Sequence, residues 1–234
     1  DEELKNPLHI GTIESLCAAK LPAIVSRFRE HHPQVKLQIT VGTPEELIRM
    51  MEHDQLDIIY ILDAPRWSES WVKAMEVAEP VVFVASPAFW AQKYAECEKN
   101  GTVKWSTKTV GQEEISVRQI TLDQILQEPF FLTEKNANYR QALDQHLASC
   151  RCCLSPVLEI SDTAFIIQML EQSRGLSFLP LFAVQKQIWE GTLAAVEVDD
   201  VEISMYRQIF YHKNKFRTRE MEQFITFASE EENH

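Results

Sequence analysis

What this chain lacks narrows its function first. No apolar run approaches the roughly 18 to 20 residues that cross a bilayer. The opening DEELKNPLHI has neither the basic nor the apolar region of an export signal. A cytoplasmic chain without membrane contact is the expectation. Positive charge is also short: 23 Lys plus Arg face 35 Asp plus Glu, a formal net charge of −12. Such a surface repels phosphate backbones and anionic membranes, so a small molecule or a protein is the expected partner, and DNA is not one for this chain by itself. The cysteines, Cys17, Cys97, Cys150, Cys152 and Cys153, are few and odd in number. In a chain too large to need disulfide staples, that favours a reducing compartment.

The signatures of catalysis are missing too. There is no GxGxxG after the first expected strand, no GxxxxGK[ST], no HExxH and no GxSxG. The seven histidines form no spaced ligand set. No enzyme activity, cofactor or metal is therefore expected. The segment Cys150-Arg151-Cys152-Cys153 crowds three thiols together without the second ligand pair of a zinc site. It reads either as incidental thiols or as a redox or soft-metal sensor.

What is present is an alternation of strand and helix patterns, the mark of an α/β fold on mostly parallel sheets. Strands are expected at Leu8–Ile10, Val35–Val41, Leu56–Ile61, Pro80–Ser86, Phe130–Thr133, Pro156–Ile160, Leu193–Val198 and Ser204–His212, with an unassigned apolar run at Gly175–Pro180. Helices are expected at Ser15–Glu30, from Thr43 through Met51, at Leu122–Leu126, Tyr139–Ser149, Thr163–Gln172 and about Arg217–Ala228. Between them, Gln92–Gln119 is polar, holds Gly101 and Gly111, and lacks sustained periodicity, so it reads as an exposed excursion. Of the large aromatics, Trp67, Trp71, Phe89, Trp90, Trp105 and Trp189 are expected mostly in cores or interfaces.

Two junctions stand out. LHIGTIES and LQITVGTPEE each end an apolar alternating run at Gly-Thr and pass into a helix start. A helix N-terminus leaves backbone N–H groups unpaired and carries partial positive charge. At the second junction Thr43-Pro44-Glu45-Glu46 spells a capping box, and Thr43 is read either as cap or as ligand contact. At the first, Thr12 and Ser15 present hydroxyls around the acidic Glu14, a mixture suited to a ligand with an amine or several hydroxyls. Asp162, in Ser161-Asp162-Thr163, reads as an N-cap by default.

Taken in order, several short strings resemble the effector-binding domain of the LysR-type transcriptional regulators. They are Leu8-x-Ile10-Gly11, Leu21-Pro22, Phe28 before Pro33, Val35-x-Leu37 leading to Gly42, Leu56-Asp57-Ile58, and Gly175-Leu176-x-Phe178-Leu179-Pro180. Their order and spacing carry the resemblance over nearly the whole chain. It implies two Rossmann-like α/β subdomains joined by two crossover strands, a type 2 periplasmic-binding-protein-like architecture with a small effector between the subdomains. Residues 1–84 plus 200–234 would form subdomain I and 85–199 subdomain II, with a polar insertion at about 92–119; Pro80–Ser86 and Leu193–Val198 would be the crossovers.

Carried over by position, the resemblance implies effector contact at Thr12, Glu14, Ser15, Thr43, Leu62, Asp63, Thr133, Asn136, Asn138 and Ser161. It implies a homodimer, a tetramer in the full-length regulator, and DNA contact only through an N-terminal helix-turn-helix that this sequence does not contain. The competing reading is a solute-binding protein of a transport system, which shares the fold and would carry an export signal.

Overall fold

The computed structural model describes residues 4–110, 113–201 and 203–231, and side chains for all of these except 105–118. Gly111 and the side chain of Trp105 therefore lie outside the described parts. The chain divides into two compact units, residues 4–79, 136–139 and 204–231 forming unit 1, and 80–135 and 140–203 forming unit 2.

Unit 1 opens with β1 (Leu8–Thr12), α1 (Glu14–Ala19), α2 (Leu21–His31), β2 (Leu37–Val41), α3 (Pro44–Glu52) and β3 (Ile58–Asp63). β1 lies between β2 and β3, parallel to both: Thr12 stands opposite Val41 on one side and Tyr60 on the other. All six residues of β3 are buried, as expected of a strand covered on both faces and written as a continuous apolar run. β2 is the edge, and its Ile39 and Val41 remain exposed.

The single helix expected over Ser15–Glu30 is two. Lys20 ends α1 and Pro22 enters the first turn of α2. Proline has no N–H to donate and its ring collides with the preceding turn, so a new helix begins where the old one cannot continue.

β4 (Trp71–Ala85) is a 15-residue strand of which Pro80–Ser86 was only the second half. The chain passes from unit 1 to unit 2 within it, after Glu79. Unit 2 then builds α4 (Pro87–Lys99), β5 (Lys104–Val110), β6 (Glu113–Gln119), α5 (Leu122–Ile125), β7 (Phe131–Leu132), α6 (Asn138–Ser149, beginning in unit 1), β8 (Leu158–Glu159), α7 (Thr163–Gln172), β9 (Leu176–Pro180), α8 (Leu181–Glu190) and β10 (Ala194–Val196). The second half of β4 pairs antiparallel with β9 on one side and β10 on the other. Leu193–Val198 thus lies inside unit 2, and the return to unit 1 comes after Ile203, with β11 (Ser204–His212) and α9 (Arg219–Glu230). β11 pairs antiparallel with β3 and lies between β3 and β4 in the strand order.

The expected excursion at 92–119 is corrected in two parts. Its first third is the body of α4, capped by Ser86, whose hydroxyl accepts from the Phe89 N–H at 3.2 Å, and buried through Phe89, Trp90 and Cys97. Gly101, at φ 67°, supplies the left-handed turn that stops it. The rest is an antiparallel hairpin, Lys104 facing Gln119 through Val110 facing Glu113. α8 is a further helix that the periodicity reading passed over; Pro180 stands at its N-cap and Gly191, at φ 74°, at its C-cap. Phe89 and Trp90 are core residues, whereas Trp67 and Trp189 are more than three-quarters exposed.

Candidate functional site

The carboxyl ends of β1, β2 and β3 line up in unit 1, the place where open α/β sheets bind ligands. Thr12 ends β1. Its hydroxyl donates to the Tyr60 carbonyl at 2.9 Å, and its own carbonyl accepts from the Gly42 N–H at 3.1 Å. The buried threonine therefore ties the three parallel strands at one level. Gly11 beside it is closely packed: a Cβ there would come within 2.5 Å of Leu56 Cδ1 and 2.9 Å of Leu47 Cδ2, so both leucine side chains would have to shift.

From this level the two junctions part. After β2, Thr43 caps α3 in full. Its hydroxyl accepts from the Glu46 N–H at 3.3 Å while its own N–H donates to Glu46 Oε2 at 2.9 Å. Those hydrogen bonds hold the Glu46 carboxyl below its ordinary range. After β1, Ile13 stands at the N-cap of α1 and offers no side-chain cap. Glu14 is half-buried, and Ser15 is buried with its Oγ bonded to nothing. Leaving a hydroxyl unpaired in the interior carries a desolvation cost of about 1–3 kcal/mol.

At the end of β3, Leu62 is core and Asp63 is buried. Asp63 accepts from the Ala64 N–H at 2.8 Å and pairs with the Arg66 guanidinium, which also reaches Glu45 at the start of α3. Burial pushes the Asp63 carboxyl up, against the pull of Arg66. Because the guanidinium touches both acids, the geometry supports an ionised Asp63 whose charge is already answered at neutral pH. Arg66 carried no motif of its own, and only the fold reveals that it answers the charge of Asp63. Gln208 on β11 fixes this loop, accepting from the Arg66 N–H at 3.0 Å and donating to the Ala64 carbonyl at 3.0 Å.

Behind this edge, Arg207 on β11 pairs with Glu79 at 2.7 Å, both side chains almost wholly buried, and donates to the Tyr60 hydroxyl at 3.3 Å. The pair therefore staples β4, β11 and β3 under the Thr12 level.

The remaining predicted positions lie further along the chain. In unit 2, Thr133 is buried with an unpaired Oγ1, and its carbonyl accepts from Arg140 at 2.8 Å. Arg140 is itself buried and also meets Asp144 at 3.1 Å and Glu159 at 3.3 Å. It is a second organiser that sequence reasoning missed, since a lone arginine at a helix start carries no pattern. Asn136 is exposed, and Asn138 opens α6 with a buried Nδ2 that has no partner; both fall in the short segment grouped with unit 1. Ser161 is exposed beside Asp162, which caps α7 by accepting from the Phe165 N–H at 2.9 Å. Of the seven buried side-chain polar atoms without a partner among the described residues, three belong to predicted positions: Ser15, Thr133 and Asn138. A cavity of about 680 Å³ in unit 2, walled by Val81, Phe83, Tyr94, Phe178, Val196 and Val198, contains none of the ten. It also holds none of the orphaned polar atoms.

Among the described residues no group of His, Cys, Asp and Glu is arranged to hold a metal, and no helix is long and apolar enough to cross a membrane.

Similarity to known proteins agrees with this geometry. The HTH-type transcriptional activator CmpR of Synechocystis sp. (strain ATCC 27184 / PCC 6803 / Kazusa) is 21% identical over 195 residues, 83% of this chain and 56% of that protein. The chain thus spans little more than half of that relative's length. Among solved structures, the regulatory domain of HypT from Salmonella typhimurium in its apo-form has a TM-score of 0.69 at 14% identity, covering 100% of this chain and 99% of that one. The regulatory domain of Synechocystis PCC6803 CcmR in complex with 2-PG has a TM-score of 0.69 at 15% identity, covering 96% of each. The family described as the LysR substrate binding domain matches residues 1–98 and 113–233 and passes over 99–112, where β5 begins. By that match the chain is a member of the LysR substrate-binding domain family, with its periplasmic-binding-protein-like α/β fold.

Proposed function

We propose that this chain is the effector-sensing part of a transcription regulator, and that the effector is a small polar molecule held in unit 1 by Ser15 and Asn138. Thr12, Glu14, Thr43, Leu62, Asp63 and Asn136 are the other predicted positions of unit 1, and Thr133 and Ser161 those of unit 2. The observation that carries this reading is the pair of buried, unpaired polar groups in unit 1, Ser15 Oγ and Asn138 Nδ2. Interiors ordinarily pair such groups, and a ligand that bonds them recovers the desolvation cost. The CcmR regulatory domain, similar in fold, was solved with 2-PG bound, which supports a small-molecule ligand for this chain.

The chain performs no chemistry on the effector in this reading. Occupancy shifts an equilibrium between conformations, read out by a homodimer or tetramer in the cytoplasm and passed to DNA through a helix-turn-helix domain outside these residues. The transport reading has no support among relatives, which are transcription regulators.

The test is a thermal-shift screen of the chain against organic acids, phosphorylated acids, amines and sugars. A true effector at a hundredfold over its Kd adds about 2.7 kcal/mol of stability. Ser15→Ala should weaken that effector by about 0.5–1.5 kcal/mol. If an effector binds Ser15→Ala and Asn138→Ala variants with unchanged affinity, the proposed site is wrong.

A further inference from the structure

The cavity of about 680 Å³ in unit 2 has no part in effector sensing as proposed above, and every described residue that lines it belongs to unit 2. Its floor follows from strand register. Cross-strand partners point to the same face of a sheet, and Phe83 on β4 stands opposite Phe178 on β9 and opposite Val196 on β10. The three form one apolar row, with the Phe83 and Phe178 rings 4.9 Å apart. Val81, two residues back along β4, continues the same face.

An apolar sheet face needs a cover, and here the cover is partial. α4 closes over the start of β10, where the Trp90 indole N–H donates to the Ala194 carbonyl at 2.8 Å. Tyr94, one turn further on, lines the cavity. β10 pairs with β4 only over Ala194–Val196. Beyond it the chain leaves β4 for the segment before α5: Val198 bridges to Ile120, and the Asp199 N–H donates to the Ile120 carbonyl at 2.9 Å. Val81 of β4 and Val198 and Val201 of the departing segment all line the cavity, which occupies the space this departure opens.

The departing segment carries charge of one sign. Glu197 and Asp199 are exposed and line the cavity, and no Lys or Arg is among its described lining residues. The neighbouring Asp200 is occupied, its carboxylate accepting from the Leu122 N–H at 2.8 Å. The Asp199 carboxylate has no partner among the described residues.

We infer that this cavity is a second ligand site, separate from the effector site, and that it takes a small aromatic amine. The ring lies on the floor made by Phe178, Phe83 and Val196, and the ammonium group meets Asp199. Ligand pockets of this size are mostly apolar, with a few placed polar groups that fix orientation. The cavity holds none of the buried unpaired polar atoms, so it suits an apolar body, and its two phenylalanine rings favour an aromatic one. An unanswered carboxylate at its edge attracts a cation and repels an anion.

The experiment is calorimetric titration of the 234-residue chain with tryptamine, tryptophol and indole-3-propionate. The three share a ring and a chain length and end in an ammonium, a hydroxyl and a carboxylate. The expected result is one tryptamine bound per chain, tryptophol weaker and indole-3-propionate weakest. Asp199→Asn should weaken tryptamine by about two- to fivefold, the range of an exposed ion pair, and leave tryptophol as it was. Val201→Trp fills the cavity from a half-buried wall position and should abolish binding of all three. Ser15→Ala and Asn138→Ala stand in unit 1 and should bind tryptamine like the parent chain. A loss in either would put the amine in the effector site, overturning this proposal and leaving the effector reading intact. No saturable binding at millimolar tryptamine, equal affinity for indole-3-propionate, or undiminished tryptamine binding by Asp199→Asn would each overturn it too. Melting curves of the free variants separate misfolding from lost binding. Asp199 is exposed, so its variant tests the proposal even if Val201→Trp does not fold.

Discussion

The two Gly-Thr junctions begin from the same sequence idea and end in opposite states. After β2, Thr43 and Glu46 satisfy each other and close the start of α3. After β1, the apolar Ile13 takes the cap position, α1 lasts six residues, and the hydroxyl of Ser15 is buried with no bond. A capped helix start is finished structure. An uncapped one, beside a buried unpaired hydroxyl and at the carboxyl end of the central parallel strand, is where the function proposed above puts its ligand. The difference teaches that a helix N-terminus becomes a candidate site only where its own residues fail to answer it.

The largest effect should come from cutting the support beneath both junctions. Arg207→Met leaves Glu79 buried without its counter-ion and should cost about 3–5 kcal/mol, read as a lowered denaturant midpoint. It should also loosen the Tyr60 strand that Thr12 hangs from. A loss under 1 kcal/mol would mean that the pair is not sealed from water as its burial indicates.

The comparison itself breaks if the two hydroxyls behave alike. Thr43→Ala should destabilise the free chain by about 0.5–2 kcal/mol through loss of the cap. Ser15→Ala removes a hydroxyl that bonds nothing, so the free chain should hold within about 0.5 kcal/mol or gain stability. The Ser15→Ala penalty should then show only in effector affinity, measured by calorimetry. Equal destabilisation by both would return the first junction to plain structure.

The smallest effect is one of pH. Glu220, in the first turn of α9, holds the lead-in to β1 by accepting from the Lys5 and Asn6 N–H groups at 3.1 and 3.0 Å. Burial pushes its carboxyl up, but hydrogen bonds from the backbone and from Asn6 outweigh burial and hold it below its ordinary 4.5. A carboxylate depressed in the folded state stabilises it fully above the ordinary value, and the contribution is lost as pH falls through the depressed one. Melting curves taken downward from neutral pH should fall in that window. Glu220→Gln should start lower and fall less steeply.

Much of the fold was legible because period and punctuation survive in short windows. Thr43-Pro44-Glu45-Glu46 wrote its capping box, Asp162 its cap, and the run from Leu56 a buried strand whose members are buried throughout. α4 and α8 were missed although each starts at a proline and ends at a glycine, Pro87 to Gly101 and Pro180 to Gly191. A proline just after an apolar run stands at the start of the next helix in both cases, with no N–H to lose there. The hairpin from Lys104 to Gln119 was passed over because its sequence is mostly polar and the alternation at Ile115 and Val117 is too short to stand out as a strand.

By itself the sequence determined the alternation of strand and helix, the acidic surface, the family resemblance and the ten positions to inspect. Each of these rests on local order along the chain. Only the tertiary structure decided which polar groups are answered. Arg66 neutralises Asp63, Arg140 takes the Thr133 carbonyl and Arg207 closes on Glu79, while Ser15, Thr133 Oγ1 and Asn138 Nδ2 are left over. The Arg207–Glu79 pair joins residues more than a hundred positions apart, and even Arg66, three residues from Asp63, needs the turn after β3 to reach it. Hydrogen bonding acts over about 3 Å in space, so its outcome waits until folding has brought the chain's distant parts within that distance.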